Sequence, residues 1–452
     1  MKLELGNRIL LSEYNADQRK RIKQKYTFDN PAYAEALKQG RSTWAIDPSI
    51  CLYEESFALG YKTLSLPVGC LDYLVNTFEP LIIDQRITKP VTIPFDGSLR
   101  PYQQRLVRQA MAHTHGILVA ATGSGKTICA IALAARLGQR TLVLVKNKAL
   151  AQQWCEAIQK FTGLAAGLMG GGKMFEGKQF SVGMVQTLYK RDLNALRYGL
   201  VVADECHNLP ARQAYTVING LYAHYKFGLS ATPQRRDHLE FMLHGALGDI
   251  VATINANELA DNVLPVSVRP LRVRYEGTPK TWQEFLNSLV SNEQRNRLIV
   301  ETAKKFAKRV GTIILCSHIR HCERLENLAH AAGLSALVLH GQLTSKERGI
   351  RMAQAPHAAL IIGTLSLLSE GIDLPHLGVL IFAAPVSADT TDKDAPASTR
   401  LLQSIGRCRR PYPNKQRAIV VDIVDEHNQF GYSTYNKRKY IYQQQGFVIE
   451  HL

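Results

Sequence analysis

The feature that most constrains this chain is a glycine-containing turn between an apolar run and a helical pattern. Residues 120–127 read Ala-Ala-Thr-Gly-Ser-Gly-Lys-Thr, directly after Gly-Ile-Leu-Val and directly before a helical pattern over residues 128–137. A strand, a turn and a helix in this order predict a phosphate-binding loop, because Gly123 and Gly125 let backbone N–H groups approach an anion at a helix N-terminus. The usual pattern begins with a glycine, and Ala120 replaces it here.

The residues of this loop predict a nucleoside triphosphate as ligand. Lys126 is expected to reach the β- and γ-phosphates, and Thr127 to hold Mg²⁺ through its hydroxyl. Thr122 and Ser124 complete the loop and are candidate phosphate contacts.

The charge balance predicts a polyanionic partner. The 452 residues include 55 Lys+Arg and 38 Asp+Glu, a formal charge of +17. Residues 1–95 contribute 12 basic and 11 acidic side chains, so an excess of +16 lies beyond residue 95. A basic surface of this kind favours nucleic acid, although a solvated surface without a ligand is the alternative.

Several classes of protein are disfavoured. The eight cysteines include no C-x-x-C pair, so we expect neither a structural zinc site nor a disulfide framework. No apolar run approaches the ~20 residues of a membrane span, and the N-terminus lacks a signal-peptide core. We therefore expect a cytoplasmic protein without a membrane partner.

Short apolar runs alternate with helical patterns from about residue 99 onward, which predicts an α/β fold with doubly wound parallel sheets. A chain of this length exceeds one ordinary core. Two series of runs, separated by the proline-containing stretch 250–295, indicate two such domains after a small α+β segment. The expected divisions are 1–95, 96–262 and 263–452.

A pair of acidic residues follows the apolar run at residues 200–203. Asp204 and Glu205 would stand at the carboxyl end of a strand, where one carboxylate can hold Mg²⁺ and the other polarise a water. A surface acidic turn is the alternative. A cysteine nucleophile formed by Cys206 and His207 is disfavoured, because adjacent strand-end side chains diverge.

A basic segment near the C-terminal end suits charge neutralisation on a phosphoryl group. Residues 403–410 read Gln-Ser-Ile-Gly-Arg-Cys-Arg-Arg, which predicts that Arg407 and Arg410 lie one helical turn apart on one face. Such arginines can act as arginine fingers on a γ-phosphate. A solvated helix end is the alternative.

These motifs together resemble those of the superfamily 2 helicases. The pre-motif Leu-Arg-Pro-Tyr-Gln at 99–103 precedes the phosphate loop and the Asp-Glu-Cys-His box. The chain resembles most closely the branch that contains XPB, RecG-type fork enzymes and helicases of T4-like and T5-like phages. The later motifs in the same order are Leu-Ser-Ala-Thr-Pro at 229–233, Gly-Thr at 363–364, Glu-Gly-Ile-Asp at 370–373 and Q-x-x-G-R-x-x-R at 403–410.

The resemblance implies two RecA-like domains and an ATP-driven motor that works as a single chain. It implies that Gln103 reads adenine, that Asp204 binds the metal through water and that Glu205 activates the attacking water. Arg407 and Arg410 would reach the nucleotide across the interdomain cleft. The remaining implied roles are γ-phosphate and ribose contacts for Gln403 and Asp373, and coupling of hydrolysis to domain closure for Ser230 and Thr232.

The resemblance also implies a nucleic-acid path that contacts phosphate and sugar rather than bases, which suits movement along any sequence. The matching positions in the first motor domain are Lys146, Gln153, Gln186 and Thr187, and those in the second are Ser317, Gly341 and Thr364. Each of these polar residues could instead be an ordinary loop or cap residue.

Residues 1–95 resemble the small recognition domain that precedes the motor in XPB-like helicases of prokaryotes and phages. The resemblance rests on Phe-Asp-Asn-Pro-Ala-Tyr at 28–33 and Gly-Arg-Ser-Thr-Trp at 40–44. A packing cap for the first motor domain is the alternative.

We therefore expect an ATP- and Mg²⁺-dependent DNA helicase or translocase that acts on branched DNA, in branch migration or fork regression. An RNA helicase would share every motif. A translocating subunit of a nuclease complex is a further alternative, and a non-enzymatic binding module is disfavoured because each expected catalytic position is filled.

Overall fold

The computed structural model describes residues 1–58, 61–121, 123–231, 237–255, 258, 263–365, 374–386 and 399–450. The chain divides into two compact units, Met1–Asn255 and 256–452. This division lies a few residues before the expected boundary at 262/263, and the three-part division of the sequence stays a prediction.

The first part of unit 1 is a mixed five-stranded sheet with short helices. Its strands are β1 (Lys2–Leu5), β2 (Ile9–Ser12), β3 (Thr27–Asp29), β4 (Ser49–Cys51), β5 (Glu54–Ala58), β6 (Tyr61–Leu66) and β7 (Leu81–Asp84), and its helices are α1 (Ala16–Lys25), α2 (Pro31–Lys38) and α3 (Leu71–Phe78). The sheet order is β5-β6-β2-β1-β7, and β3 and β4 form a separate antiparallel pair with α2 in the connection between them. Alternate residues of β1 and β2 are buried, which is the pattern of strands with one face on a core.

The second part of unit 1 is an eight-stranded sheet covered by helices. Its strands are β8 (His115–Ala120), β9 (Thr141–Val145), β10 (Gly167–Gly170), β11 (Lys173–Phe175), β12 (Phe180–Met184), β13 (Leu200–Ala203), β14 (Tyr225–Ser230) and β15 (Ile250–Ile254). Its helices are α4 (Pro101–Met111), α5 (Lys126–Leu137), α6 (Lys148–Thr162), α7 (Val185–Leu188), α8 (Ala211–Gly220) and α9 (Glu240–Leu247). The order is β11-β10-β12-β9-β13-β14-β8-β15, and its pairings are parallel except for the edge hairpin β10–β11. The central strands are buried along their whole length because helices cover both faces.

The two sheets of unit 1 share a hydrophobic core. Phe28 stacks on Phe241 of α9 with ring centroids 4.4 Å apart, and Met242 packs among the buried residues of the N-terminal sheet. Lys226 of β14 is fully buried, and its Nζ donates to the carbonyl of Asn7 at 3.0 Å. Residues 1–84 are therefore packed firmly against the rest of unit 1.

Unit 2 contains a seven-stranded parallel sheet. Its strands are β16 (Val266–Arg274), β17 (Gly311–Cys316), β18 (Leu337–Leu339), β19 (Leu360–Thr364), β20 (Leu377–Phe382), β21 (Ala418–Glu426) and β22 (Val448–Ile449), in the order β18-β19-β17-β20-β21-β16-β22. Its helices are α10 (Trp282–Ser291), α11 (Glu293–Ala307), α12 (Ile319–Ala331), α13 (Ser345–Gln354), α14 (Thr399–Cys408) and α15 (Gln429–Gln444).

Strand β16 lies within residues 250–295, the proline-containing stretch that was predicted to separate the two domains. It pairs with β21 along its whole length, but β22 pairs only with Ser267 and Val268. Pro270 lies beyond that pairing, so its missing N–H costs no ladder hydrogen bond to β22. Proline at this open part of the strand is compatible with the sheet.

Two buried ion pairs fix helices of unit 2 on the sheet. Arg295 of α11 binds Asp425 of β21 (Nε–Oδ1 2.6 Å), and Arg438 of α15 binds Asp422 of β21 (Nη2–Oδ1 2.9 Å). Each guanidinium makes a two-point contact with its carboxylate, so the charges are fully compensated inside the core. Across the part of the chain that the structure describes, every helix is too short or too polar to span a bilayer.

Candidate active site

The phosphate-binding loop has the backbone that the sequence predicts. Gly123 and Gly125 adopt φ angles of 89° and 81°, in the left-handed region that favours glycine, between the end of β8 and the start of α5 at Lys126. Ser124 is buried, and its Oγ has no hydrogen-bond partner among the described residues. A loop with these glycines, a buried free hydroxyl and a helix N-terminus fits a phosphate group. Thr122 lies outside the described residues.

Gln103 holds this loop from the neighbouring helix α4. Its Oε1 accepts from the Arg100 N–H (2.9 Å), and its Nε2 donates to the carbonyl of Ser124 (2.7 Å). A Cβ at Gly125 would come within 2.5 Å of the same Nε2. The described contacts of Gln103 therefore position the loop, and its expected contact with adenine stays a prediction.

The predicted lysine and acidic pair come together. Lys126 Nζ lies 3.3 Å from Glu205 Oε1 and donates to the carbonyl of Ala120 at 3.2 Å. Glu205 begins the turn after β13 with a φ of 42°, which turns the chain sharply away from the strand. The residue that would contact phosphate and the residue that would activate water thus lie side by side.

Asp204 is held in a buried position beside Glu205. One oxygen, Oδ2, accepts from Trp154 Nε1 (2.8 Å), and the other accepts from the Glu205 N–H (3.0 Å). Burial, and secondarily the charge of Glu205, raises the pKa of Asp204 to about 6. A bound cation would favour the ionised form of such a carboxylate.

The oxygen ligands available here suit Mg²⁺, which binds few protein carboxylates and keeps several waters. The candidates are the Asp204 carboxylate and the Thr127 hydroxyl at the start of α5. Within the described ranges, no group of three or more His, Cys, Asp or Glu side chains forms a protein-only metal cluster.

His207 connects the acidic residues to the end of β14. Its Nδ1 lies 2.8 Å from Ser230 Oγ and 3.5 Å from Glu205 Oε2. Ser230 is thereby linked to Glu205, while Thr232 lies outside the described residues. No contact with Glu205 or Ser230 was predicted for His207 from the sequence, where its own considered role was with Cys206, which is buried in the core of unit 1. The fourth position of the Asp-Glu-Cys-His box was the available signal.

The predicted nucleic-acid positions of unit 1 lie at the carboxyl edge of the same sheet, but they follow different strands from the phosphate loop and the acidic pair. Val145 at the end of β9 pairs with Met184 at the end of β12. Lys146 and Gln186, which follow these strands, are therefore neighbours at this edge, and both are exposed. The loop and acidic residues follow β8 and β13. The two remaining positions are half-exposed Gln153 on α6 and half-exposed Thr187 on α7.

A glycine turn that was not predicted as part of the site lies at the same edge of the sheet. Strand β10 ends at Gly170, and the turn before Lys173 consists of Gly171 and Gly172; all three glycines have a positive φ. A Cβ at Gly171 would come within 3.4 Å of the Lys148 side chain. Three consecutive glycines followed by lysine were the available signal.

The predicted nucleic-acid positions of unit 2 also share one edge. Ser317 follows β17, Gly341 follows β18, and Thr364 ends β19, and these three strands are neighbours in the order β18-β19-β17. The Ser317 hydroxyl lies 2.8 Å from His318 Nδ1. A Cβ at Gly341 would meet no atom within 4 Å, whereas Thr364 is buried.

The expectation that Arg407 and Arg410 share one helical face is wrong. Helix α14 contains Gln403 and Arg407 but ends at Cys408, so Arg410 lies in the following turn. The next residue is Pro411, and a residue before proline is disfavoured in the helical conformation. Asp373 lies outside the described residues.

Two family models match the two motor regions. The model "Type III restriction enzyme, res subunit" matches residues 96–235, and "Helicase conserved C-terminal domain" matches residues 293–411. Together the matches include the phosphate loop, the acidic pair and the arginines of 403–410.

Curated relatives include helicases from phages and archaea. The chain is 25% identical to probable helicase D10 of Escherichia phage T5 over 82% of both chains. It is 24% identical to the ATP-dependent DNA helicase uvsW of Enterobacteria phage T4, over 77% of this chain and 72% of the relative. It is 31% identical to the DNA 3'-5' translocase XPB2 of Sulfurisphaera tokodaii, over 46% of this chain and 50% of the relative.

The fold matches that of a solved structure. Dbp5 of S. cerevisiae, bound to RNA and ADP BeF3, aligns with a TM-score of 0.56 and 16% identity, over 86% of this chain and 94% of Dbp5. The expected pair of RecA-like parallel sheets is confirmed. This chain belongs to the superfamily 2 helicases, in the branch of the XPB-like and phage enzymes, and is an ATP-driven helicase.

Proposed function

We propose that this protein is an ATP- and Mg²⁺-dependent DNA translocase and helicase that remodels branched DNA, as in branch migration or fork regression. The observation that carries the proposal is the contact between Lys126 and Glu205, because it joins the phosphate loop to the acidic box. DNA as the track is favoured by the relatives uvsW and XPB2, which are named for DNA. The phage relatives favour host cytoplasm as the setting.

In this proposal the residues of unit 1 bind and orient the nucleotide. Lys126 leaves Glu205 to contact the β- and γ-phosphates, and Glu205 then polarises the attacking water. Thr127 and Asp204 would hold Mg²⁺, which would supply positive charge beside the phosphates. A change in the position of Glu205 would be transmitted to Ser230 through His207, since these three side chains form one chain of contacts.

The arginines and the edge residues complete the proposed motor. Arg407 and Arg410 neutralise charge that develops on the γ-phosphate in the transition state, and Gln403 supports that contact. Thr122, Thr232 and Asp373 keep their predicted roles at the nucleotide and in coupling. The nucleic-acid backbone binds along the carboxyl-edge positions of each sheet. The residues proposed for this binding are Lys146, Gln153, Gln186, Thr187, Ser317, Gly341 and Thr364.

The N-terminal sheet is proposed to sense DNA junctions through helix α1. Arg19 and Lys23 form salt bridges with Glu55 (2.5 and 3.3 Å), whereas Lys20 and Arg21 are exposed. Deletion of residues 1–95 would open the shared core, so substitution is the cleaner test. Replacing Lys20 and Arg21 with glutamate should lower the preference for four-way junctions and leave single-strand-stimulated ATPase activity. An unchanged preference would instead favour the packing-cap role.

Two assays separate the proposal from its alternatives. ATP hydrolysis should be stimulated more by DNA than by RNA of the same sequence and structure, and stronger stimulation by RNA would favour an RNA helicase. The protein alone should unwind or regress a fork without cutting it. Activity that appears only with a nuclease partner would favour the translocating-subunit alternative.

A further inference from the structure

Helix α6 contacts the acidic pair through one tryptophan. Trp154 is 3% exposed, and its indole Nε1 donates to Asp204 Oδ2 at 2.8 Å. Because the Glu205 N–H holds the other oxygen at 3.0 Å, both carboxylate oxygens are oriented by the protein itself. A phenylalanine would fill most of the same space, so the specific contribution of tryptophan at this position is its N–H group.

We propose that Trp154 is a positioning residue that orients Asp204 for Mg²⁺ and connects this carboxylate to helix α6. The inference rests on the proposed ATP- and Mg²⁺-dependent activity. A buried indole N–H needs a hydrogen-bond acceptor, and a carboxylate is a strong one. Each Asp204 carboxylate oxygen accepts one of these hydrogen bonds, and its other lone pair stays available for a metal-bound water.

The position of α6 gives this contact a second consequence. The helix begins at Lys148, directly after Lys146 and its N-cap Asn147, and it also carries Gln153. Two candidate nucleic-acid contacts and the indole therefore belong to one continuous segment. Binding of nucleic acid at this segment would shift the indole relative to Asp204, so occupancy of the nucleic-acid edge would change the geometry of the metal carboxylate.

The first test is the Mg²⁺ dependence of ATP hydrolysis in Trp154→Phe, with Trp282→Phe in unit 2 as matched control. Loss of a group that orients a metal ligand typically costs ~10–100-fold in metal affinity. The half-saturating Mg²⁺ concentration should rise at least about tenfold in Trp154→Phe and stay unchanged in Trp282→Phe, and stimulation by DNA should weaken only in Trp154→Phe. A half-saturating concentration equal to that of the natural protein would overturn the proposal.

A spectroscopic test does not depend on the folding of that variant. The chain has three tryptophans, so Trp44→Phe combined with Trp282→Phe leaves Trp154 as the only indole fluorophore. Addition of Mg²⁺ with ADP should change its emission more than ADP with EDTA, and Asp204→Asn should remove the difference. Equal emission under both conditions would contradict the inference. If this protein binds Mg²⁺–ADP with the expected signal but does not hydrolyse ATP, the proposed function fails and the inference stands.

Discussion

Lys126 and Glu205 are the residues on which the proposed chemistry depends most directly. Lys126→Ala should abolish hydrolysis because the phosphate contact is lost, and Glu205→Gln should retain ATP binding but block the chemical step. Loss of a principal catalytic group usually costs ~10²-fold or more. Steady-state ATPase assays with DNA check both variants, with exposed Lys305→Ala on α11 as control. Either variant retaining more than about a tenth of the normal rate would argue against its role.

The arginines should act mainly in the transition state. Arg410→Ala should lower kcat strongly while nucleotide affinity falls less, which is the pattern of an interaction absent from the ground state. Measuring kcat by ATPase assay and Kd with a fluorescent nucleotide separates the two effects. Because Arg410 lies beyond the end of α14, Arg407→Ala and Arg410→Ala need not have equal effects. An Arg410→Ala variant with normal kcat would remove the arginine-finger assignment.

Individual side chains differ in how far the sequence could place them. The positions of Lys126 and Glu205, each after a predicted strand, indicated one site, because α/β folds bind ligands at the carboxyl ends of their strands. The contacts of Trp154 with Asp204 and of Gln103 with Ser124 could not be predicted, since they depend on how α6 and α4 pack on that sheet. The prediction that Arg410 lies on the helix was wrong because it relied on helical spacing alone. Pro411 disfavours the helical conformation at Arg410, and the helix ends before it.

At the level of elements, the buried strands were the most predictable. Runs such as Leu200–Ala203 are apolar throughout and short, which favours a strand covered on both faces over a helix. β16 was less predictable because Pro270 signals a boundary, and only the short pairing with β22 makes that proline compatible with a sheet. A packing cap for the first motor domain was one predicted role of residues 1–95, but the residues that share their core, which include residues of α9, could not be predicted.

Strand β14 carries a buried lysine whose titration should affect stability. Burial, and secondarily Arg86 and Arg8, lowers the pKa of Lys226 from 10.5 to about 7. Between these two values the unfolded chain binds a proton that the folded chain does not, so this group makes unfolding less favourable as the pH rises. The penalty for burying the charged ammonium should therefore fall from about pH 7 towards pH 10, so the free energy of unfolding should rise by up to roughly 1.4 kcal/mol per pH unit.

Chemical denaturation of the intact protein at pH 7 and pH 9, which gives the free energy of unfolding at each pH, measures this effect. Lys226→Met should remove the increase, so the difference between the two proteins should change with pH. Lys305→Met, at an exposed position, should behave like the natural protein. Parallel pH dependences for Lys226→Met and the natural protein would show that Lys226 does not titrate in this range.

For the whole molecule, the distribution of charge governs binding to DNA. An excess of +16 lies beyond residue 95, so affinity should come largely from phosphate neutralisation by the two motor regions. The logarithm of the binding constant should fall linearly with the logarithm of salt concentration, with a slope of about −0.9 per phosphate neutralised. Fluorescence anisotropy at several salt concentrations gives the binding constant for DNA. A binding constant that does not change with salt would indicate that the excess of basic residues serves solubility rather than DNA binding.

The central claim is ATP-driven remodelling of branched DNA, and the most direct measurement is conversion of a labelled four-way junction by the intact chain. With Mg²⁺ and ATP, the junction should be converted to its forked products faster than a simple tailed duplex is unwound, and Glu205→Gln should bind the junction without converting it. Failure to convert any junction, in a protein that hydrolyses ATP on DNA and unwinds tailed duplexes, would contradict the account.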